Sequence, residues 1–314
     1  MTSLNEILCF LGEQIAEANF QIDKPVSPDR LCPNSITLVT RPGESLDLLS
    51  ERAPRNVFVL APLKHKRPVN GTPVFFSFRE NPRLDFCRIL QNFFVSKEVP
   101  FVDSTAIVRT NHALPEDISI GAGCVIRGDV TFGKRSIIMD HVIIYGPAVF
   151  GDDVVIKAGA LIGQSGFGFE RDCNGNPIRF PHFGRVLIGD RVEVGSFSII
   201  NRSTLDDTTV GSDTKLDDRT HVGHNAKIGS RVLIASGVVI CGGAQVGDDV
   251  WVGPNSVISN GIKLGNKSFV TLGSIVTRDV TDNERVSGNF AIAHHLFMKS
   301  VARASLDSGT LPIH

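Results

Sequence analysis

The residues best suited to chemistry stand in the segment KLDDRTHVGHN, residues 215–225. His224 follows Gly223, and histidine is the side chain that takes and returns a proton near neutrality. Asp217 precedes it by seven residues. A carboxylate behind an imidazole fixes its tautomer and raises its basicity. The spacing leaves two arrangements open: Asp217 reaches His224 directly, or it engages one across a subunit interface. Gly242 lies eighteen residues after His224. Its backbone N–H, with no side chain in the way, is a candidate oxyanion donor for a tetrahedral intermediate. Base, carboxylate and oxyanion donor are what an acyl transfer to an amine or hydroxyl needs, and no serine or cysteine nucleophile is required if the acceptor attacks directly. The plain alternative is that His224 is one of nine histidines and merely surface.

The element that must position these residues is a repeat of six. From residue 120 a large apolar residue recurs at Ile120, Ile126, Phe132, Ile138, Ile144, Phe150, Ile156 and Ile162, then at Ile188, Val194 and Ile200, then without a miss from Val210 to Val276. Glycine often follows it, as at Gly121, Gly151, Gly223 and Gly247. A small or β-branched residue stands four places after it, as at Val130, Val142, Ala226 and Val238. A period of six fits neither a helix nor a simple strand; it is the signature of a hexapeptide β-helix. Three hexads make one triangular coil, with the aliphatic residue inside and the glycine easing the corner. Successive coils stack like parallel strands, ~4.8 Å apart. The expected fold is mainly β: a left-handed parallel β-helix with a small N-terminal α/β domain and a short C-terminal helix. On this ruler His224 points outward near a corner, Asp217 belongs to an adjacent corner, and Gly242 lies one coil beyond His224.

Two interruptions break the repeat. Residues 163–184, GQSGFGFERDCNGNPIRFPHFG, are ejected between Ile162 and Ile188. Long loops on such scaffolds usually carry function. Phe167, Phe169, Phe180 and Phe183 are too apolar for a freely waving loop and are expected to dock on a neighbouring surface or a ligand; packing on the chain's own coils or on a partner subunit is the alternative. The second break, between Ile200 and Val210, slips the register by four. The candidate substrate contacts in and beside the two breaks are Phe167, Phe169, His182, Asn201, Arg202 and Asp206, with a solvated turn as the other reading for Asp206.

Residues 1–100 lack the six-residue period. Their apolar runs at 36–39, 57–60 and 74–76, with a helix over 81–94 started by Asn81-Pro82 and striped by Leu84, Ile89, Leu90 and Phe93, read as an α/β cap. Residues 101–285 form the β-helix and 286–314 a C-terminal loop and helix, the helix at 294–306. A formal net charge of −1 gives no bulk footprint for nucleic acid. No apolar run approaches the length of a membrane span. The start has neither the basic nor the apolar region of a signal peptide, so a cytoplasmic protein is expected. Six cysteines without a C-x-x-C read as reduced thiols, mostly small core fillers.

GFGF (166–169), VGSFSIINRSTLDDTTVG (194–211) and KLDDRTHVGHN closely resemble the UDP-3-O-(3-hydroxyacyl)glucosamine N-acyltransferases of lipid A synthesis. The resemblance covers most of 100–280 and extends to an ITLV strand followed by NPRLDFCRILQNFF. It implies a homotrimer with active sites between subunits, His224 as general base, Asp217 as its partner and the Gly242 N–H at the oxyanion. It implies an acyl thioester on acyl carrier protein as donor, its arm lying along the coils, no permanently bound cofactor, and the 2-amine of a UDP-linked glucosamine as acceptor, with the N-terminal domain helping to hold the nucleotide. Three places depart from the family. Asn260-Gly261 stands where a second histidine is usual, and Arg41-Pro42-Gly43-Glu44 where an aromatic stacks on uracil. Residues 272–291 are more like the ending of coenzyme-A-dependent sugar acetyltransferases. In those relatives the last coil helps to bind the coenzyme, which makes Gly261, Thr277 and Arg278 the candidate donor contacts.

Other readings follow. One is a coenzyme-A-dependent acetyl or acyl transferase acting on a nucleotide-linked amino sugar for surface polysaccharide. A zinc carbonic anhydrase also uses hexad coils, but zinc needs about three convergent ligands and His221, His224 and His141 are not spaced to converge. A non-enzymatic scaffold is the third.

Overall fold

The computed structural model describes residues 2–17, 19–40, 46–65, 74–96, 99–288, 293–296, 298–299 and 303. The chain divides into two compact units, residues 1–98 and 99–314.

The first unit is a parallel sheet in the order β1 (Lys24–Pro25), β2 (Ser35–Leu38), β3 (Val57–Pro62) and β4 (Val74–Arg79). Helix α1 (Leu4–Phe10) is opened by a capping box between Ser3 and Glu6. Helix α2 (Leu46–Arg52) lies in sequence between β2 and β3. Helix α3 (Pro82–Ile89) is capped by the Asn81 side chain and continues as a wider turn over Leu90–Phe94. The sheet is apolar on both faces, as parallel sheets are. Ile36, Phe58 and Leu60 pack with Leu4, Ile7, Leu8 and Ile89, while Val57, Val59 and Ala61 pack with Val39 and Leu46. Of the stripe expected on α3, Ile89 is buried and Phe93 packs beside it, but Leu84 faces solvent because the helix turns it away from the sheet. The Arg41-Pro42-Gly43-Glu44 segment lies outside the described residues.

The second unit is a left-handed parallel β-helix. Its three faces are parallel sheets. Among the described residues face A has nine strands, from Ser119–Ile120 to Arg285–Val286; face B has nine, from Ile107–Thr110 to Ile275–Val276; face C has seven, from Val130–Thr131 to Lys263–Leu264. Each coil runs A to B to C. The hexad aliphatics stack in register from coil to coil, as Ile200, Val222, Ile240, Ile258 and Val276 do on face B. With the residues four places on, they form one continuous core.

The corners use glycine differently from the sequence expectation. The left-handed backbone position falls three places after the inward aliphatic, where Arg135, Asp153, Asn225 and Arg231 have φ between 56° and 63°. The glycine directly after the aliphatic is needed for close stacking instead. A Cβ on Gly211 would lie 2.6 Å from the Gly229 carbonyl carbon, and one on Gly223 2.7 Å from the Gly242 nitrogen.

Along the edge between faces C and A, the left-handed position reads Arg135, Asp153, Arg191, Asp213, Arg231, Asp249 in successive coils. Each arginine forms a forked ion pair with the aspartate one coil on: Arg135 with Asp153, Arg191 with Asp213 and Arg231 with Asp249, all at 2.7 Å. Of the six cysteines, all reduced, only Cys124 is buried; the hexad core leaves its inward places to branched aliphatics. Of the helix expected over 294–306, the described residues 294–296, 298–299 and 303 are helical and the others lie outside the described set.

Candidate active site

Both interruptions of the repeat fall on one edge, between faces B and C, in successive coils. The long one joins Leu161–Ser165 on B to Arg185–Ile188 on C; the short one joins Ile199–Arg202 on B to Asp207–Val210 on C. The next coil turns this edge at His224 and Asn225. Asn225, held at φ 63°, accepts at its Oδ1 from the Ser203 hydroxyl (2.6 Å) and the Thr204 N–H (2.7 Å). The long loop is tied to the short one in turn, through Phe183 N–H to Thr204 O (2.7 Å) and Gly184 N–H to Ser203 O (3.0 Å). The loop is thereby moored to the coil that carries His224.

Arg202 closes the base of the loop. Its Nε donates to Gly163 O (2.5 Å), and one terminal nitrogen to Gly146 O (2.5 Å) and Tyr145 O (3.2 Å). Among the described residues it has no carboxylate partner, and burial pushes its pKa down. Three carbonyl dipoles surround this charge, so Arg202, a candidate substrate contact in the sequence, acts as a clamp at the base of the loop. Asn201 is buried beside it.

The loop folds into a short hairpin, Phe169–Arg171 against Pro177–Arg179, and Phe180 N–H donates to Gly168 O at 2.9 Å. This fold-back returns His182 to His224: the two rings stand edge to face, with centroids 5.1 Å apart. Glycines make the approach possible. A Cβ on Gly166 would lie 2.7 Å from His224 Cδ2, and one on Gly168 3.0 Å from His182 Cε1. His182 is only 8% exposed, and its Nδ1 bonds to Phe180 O at 2.9 Å. Burial holds the His182 pKa below the ordinary imidazole value, and burial does the same to His221. Among the described residues, His182 Nε2 and His224 Nδ1, both buried, meet no hydrogen-bond partner.

On its other side His224 faces Gly242, one coil on. A Cβ there would sit 2.8 Å from His224 Nε2. The Gly242 N–H is also uncapped. At some corners of the other two edges a side chain from the next coil takes the equivalent N–H: Ala122 donates to Asp140 (2.8 Å), Ser196 to Asp218 (2.7 Å), Ser230 to Asp248 (2.8 Å) and Asp248 to Asn266 (2.8 Å). At Gly242 the matching residue is Asn260, which makes no such bond. Among the described residues no acceptor meets the Gly242 N–H. A ring nitrogen thus lies against Gly242, whose backbone donor is unspent.

Asp217 is elsewhere. It lies on the edge between faces A and B, beside Lys157, Glu193, Lys215 and Trp251 around a groove of about 260 Å³, and makes no hydrogen bond or ion pair with His224. Direct contact within one chain, one of the two arrangements open from the spacing, does not occur because one hexad turns the chain through a corner. Asp206 is exposed and paired with Lys227 at 2.9 Å, which holds its carboxyl below the usual range. Phe167 and Phe169 lie against each other with their rings tilted, centroids 5.0 Å apart, and Phe167 and Phe183 are 86% and 71% exposed, so these two do not dock on the chain's own coils. Gly261 lies one coil beyond Gly243 with φ 69° and open space around it, and Thr277 and Arg278 are exposed at the end of the same edge. Sequence reasoning missed Gly166, Asn225 and the meeting of His182 with His224. Asn225 had a signal, since asparagine is favoured at left-handed corners; the meeting of the histidines had none, because it depends on the loop folding back. Among the described residues no group of three His, Cys, Asp or Glu side chains is arranged to hold a metal ion.

Its relatives and structural neighbours define the class: the chain is an acyltransferase built on hexapeptide coils. Residues 207–242 match the family described as bacterial transferase hexapeptide (six repeats). Solved structures similar in fold include a UDP-N-acetylglucosamine acyltransferase of Francisella novicida (TM-score 0.55, 23% identity, 68% of this chain and 75% of that one) and LpxA of Acinetobacter baumannii (TM-score 0.53, 25% identity, 65% and 77%). Over most of its length the chain is homologous to proteins named UDP-3-O-acylglucosamine N-acyltransferase. That of Coxiella burnetii is 27% identical over 300 residues, 89% of this chain and 86% of the relative. That of Methylorubrum populi is 39% identical over 141 residues, 45% of this chain and 40% of the relative.

Proposed function

We propose that the protein transfers an acyl group from a thioester to the 2-amine of a UDP-3-O-acyl-glucosamine, as a step of lipid A synthesis. The observation that carries this reading is the juxtaposition of His224 Nε2 with the uncapped Gly242 N–H. In this reading the amine nitrogen attacks the thioester carbonyl carbon while Nε2 takes the proton that the nitrogen loses. The charge that develops on the carbonyl oxygen is met by the Gly242 N–H. Collapse breaks the carbon–sulfur bond, and the imidazolium returns its proton to the departing thiolate, leaving an amide and a thiol.

The donor is acyl carrier protein, its arm running along the edge past Gly261, Thr277 and Arg278. The exposed Phe167–Phe169 pair covers the acceptor, and the parallel sheet of residues 1–98 binds its nucleotide. The working unit is a homotrimer, in which a neighbouring copy brings its Asp217 to the His224 edge. Because His224 Nδ1 is covered by the chain's own atoms, that carboxylate meets the open Nε2 side, where the amine must also lie, and serves the amine rather than the tautomer. Among the described residues no helix is long and apolar enough to cross a membrane; we place the enzyme in the cytoplasm.

The test is a mass-spectrometric panel of UDP-amino sugars against acyl carrier protein and coenzyme A thioesters, with wild type and His224→Ala. We expect amide formation from the acyl carrier protein donor and a loss of about 10²–10⁴-fold in kcat for the variant. Turnover with acetyl-coenzyme A alone, or an active His224→Ala, overturns the reading.

A further inference from the structure

The loop that leaves the coils at residue 163 returns one buried polar group, His182, to the edge of the reacting centre. Its Nδ1 is engaged by Phe180 O at 2.9 Å. A carbonyl oxygen only accepts, so Nδ1 carries the proton. Burial keeps the ring neutral, and the positive neighbours Arg179 and Arg202 act the same way. In a neutral imidazole with its proton on Nδ1, Nε2 is a lone-pair acceptor. That acceptor is buried and unmet. On the facing ring, His224 Nδ1 is also buried and unmet. The ring centroids are 5.1 Å apart, a separation at which ring nitrogens turned toward one another come within ordinary hydrogen-bond range.

The two unmet atoms satisfy each other in only one protonation pattern. His182 offers an acceptor, so His224 must offer Nδ1–H. The same pattern leaves the lone pair of His224 on Nε2, beside the Gly242 N–H. The opposite tautomer strands two buried lone pairs and puts a proton where the base must act; leaving such groups unpaired is costly. Asp217 does not supply this function, being on another edge of its own chain and shut off from Nδ1.

We infer that His182 is a positioning residue for the base: its Nε2 accepts the Nδ1–H of His224, directly or through one water, and so holds the tautomer that presents Nε2 to the acceptor. The inference rests on the reading of His224 as the base. It also gives the loop a reason to be moored as it is. The Asn225 and Arg202 anchors hold its two ends, Gly166 and Gly168 let it lie flat on the rings, and Phe180 fixes the orientation of His182.

Two substitutions separate positioning from packing. His182→Phe keeps an aromatic body and removes the acceptor; His182→Gln loses the ring and keeps an amide oxygen that can accept. The expected result is a fall of about tenfold or more in kcat for His182→Phe, with KM little changed and the folded state intact, and recovery of most of that loss in His182→Gln. The opposite order, with Phe active and Gln impaired, overturns the inference and assigns His182 to packing. A second readout is independent of turnover. With ¹⁵N-labelled histidine, the ring shifts of His224 in the substrate-free enzyme should report protonated Nδ1 in wild type and His182→Gln, and a mixture of tautomers in His182→Phe. An unchanged tautomer in His182→Phe also overturns the inference. Activity in His224→Ala under the same conditions removes the underlying reading instead, so the two failures are told apart.

Discussion

One added methyl group at residue 242 distinguishes the reacting centre from the fold that carries it. In Gly242→Ala the new carbon lies 2.8 Å from His224 Nε2 and 3.0 Å from Cε1, where ordinary contact begins at 3.4 Å. The ring must retreat by about 0.6 Å, or the methyl fills the space in which the thioester carbonyl has to sit; displacement of a reacting group by about 1 Å costs on the order of 100-fold. The N–H itself remains, and φ at 242 is not in the left-handed region, so alanine fits the backbone. We therefore expect kcat to fall about 10- to 100-fold with the melting temperature nearly unchanged. Gly243→Ala is the matched control. Its φ is 70° and the nearest atom to a new Cβ is 4.0 Å away, so it costs about 1–2 kcal/mol of backbone strain and leaves kcat within about twofold. The assay is steady-state kinetics beside thermal unfolding on both variants. Wild-type kcat in a folded Gly242→Ala protein refutes the placement of the acyl carbonyl between Nε2 and the Gly242 N–H.

Arg202→Ala strands the carbonyls of Gly163, Tyr145 and Gly146, and should cost about 2–4 kcal/mol in chemical denaturation and speed proteolysis of the loop at 163–184; Arg202→Lys, a point charge without the fork, should recover only part. Burial lowers the pKa of His182 and His221 below the ordinary imidazole value of about 6.5, so below about pH 6.5 the unfolded chain binds protons that the folded chain does not. The stability they support is full above pH 6.5 and is lost as pH falls from 6.5 toward the lower folded values. The urea midpoint should drop between about pH 7.5 and about pH 5.5, and drop less in His182→Gln.

The hexad coils were legible because their information is local: Ile234, Ile240 and Val246 each face inward for a reason contained in six neighbouring residues. The placement of Gly242 one coil beyond His224 followed from the same ruler. The ruler also put Asp217 on an adjacent corner, but how far a corner separates two side chains depends on the angle between faces, which spacing does not contain. The loop was harder. Its composition marked it as functional, yet the approach of His182 to His224 depends on Phe180 pairing with Gly168 and on the mooring at Asn225, contacts between residues twelve to twenty-two places apart. Arg202 shows a general limit of sequence: a cation near a predicted site suggests an anionic ligand, and the carbonyl oxygens that surround it come from Tyr145, Gly146 and Gly163, nearly forty or more places away.

The alternating edge between faces C and A has a consequence for assembly of the coils. Inside the prism most rungs are nearly the same, an Ile or Val above an Ile or Val, so most of the interior cannot tell one neighbouring coil from the next. On the C–A edge the order Arg, Asp, Arg, Asp can. A coil displaced by one rung would set arginine over arginine and aspartate over aspartate at the spacing where they now form forked pairs; only a displacement of two restores the match. The edge thus acts as a parity check on the winding of a repetitive chain, and it lies apart from the edge where the chemistry is placed, so correction of the stack and variation of the site proceed without interfering.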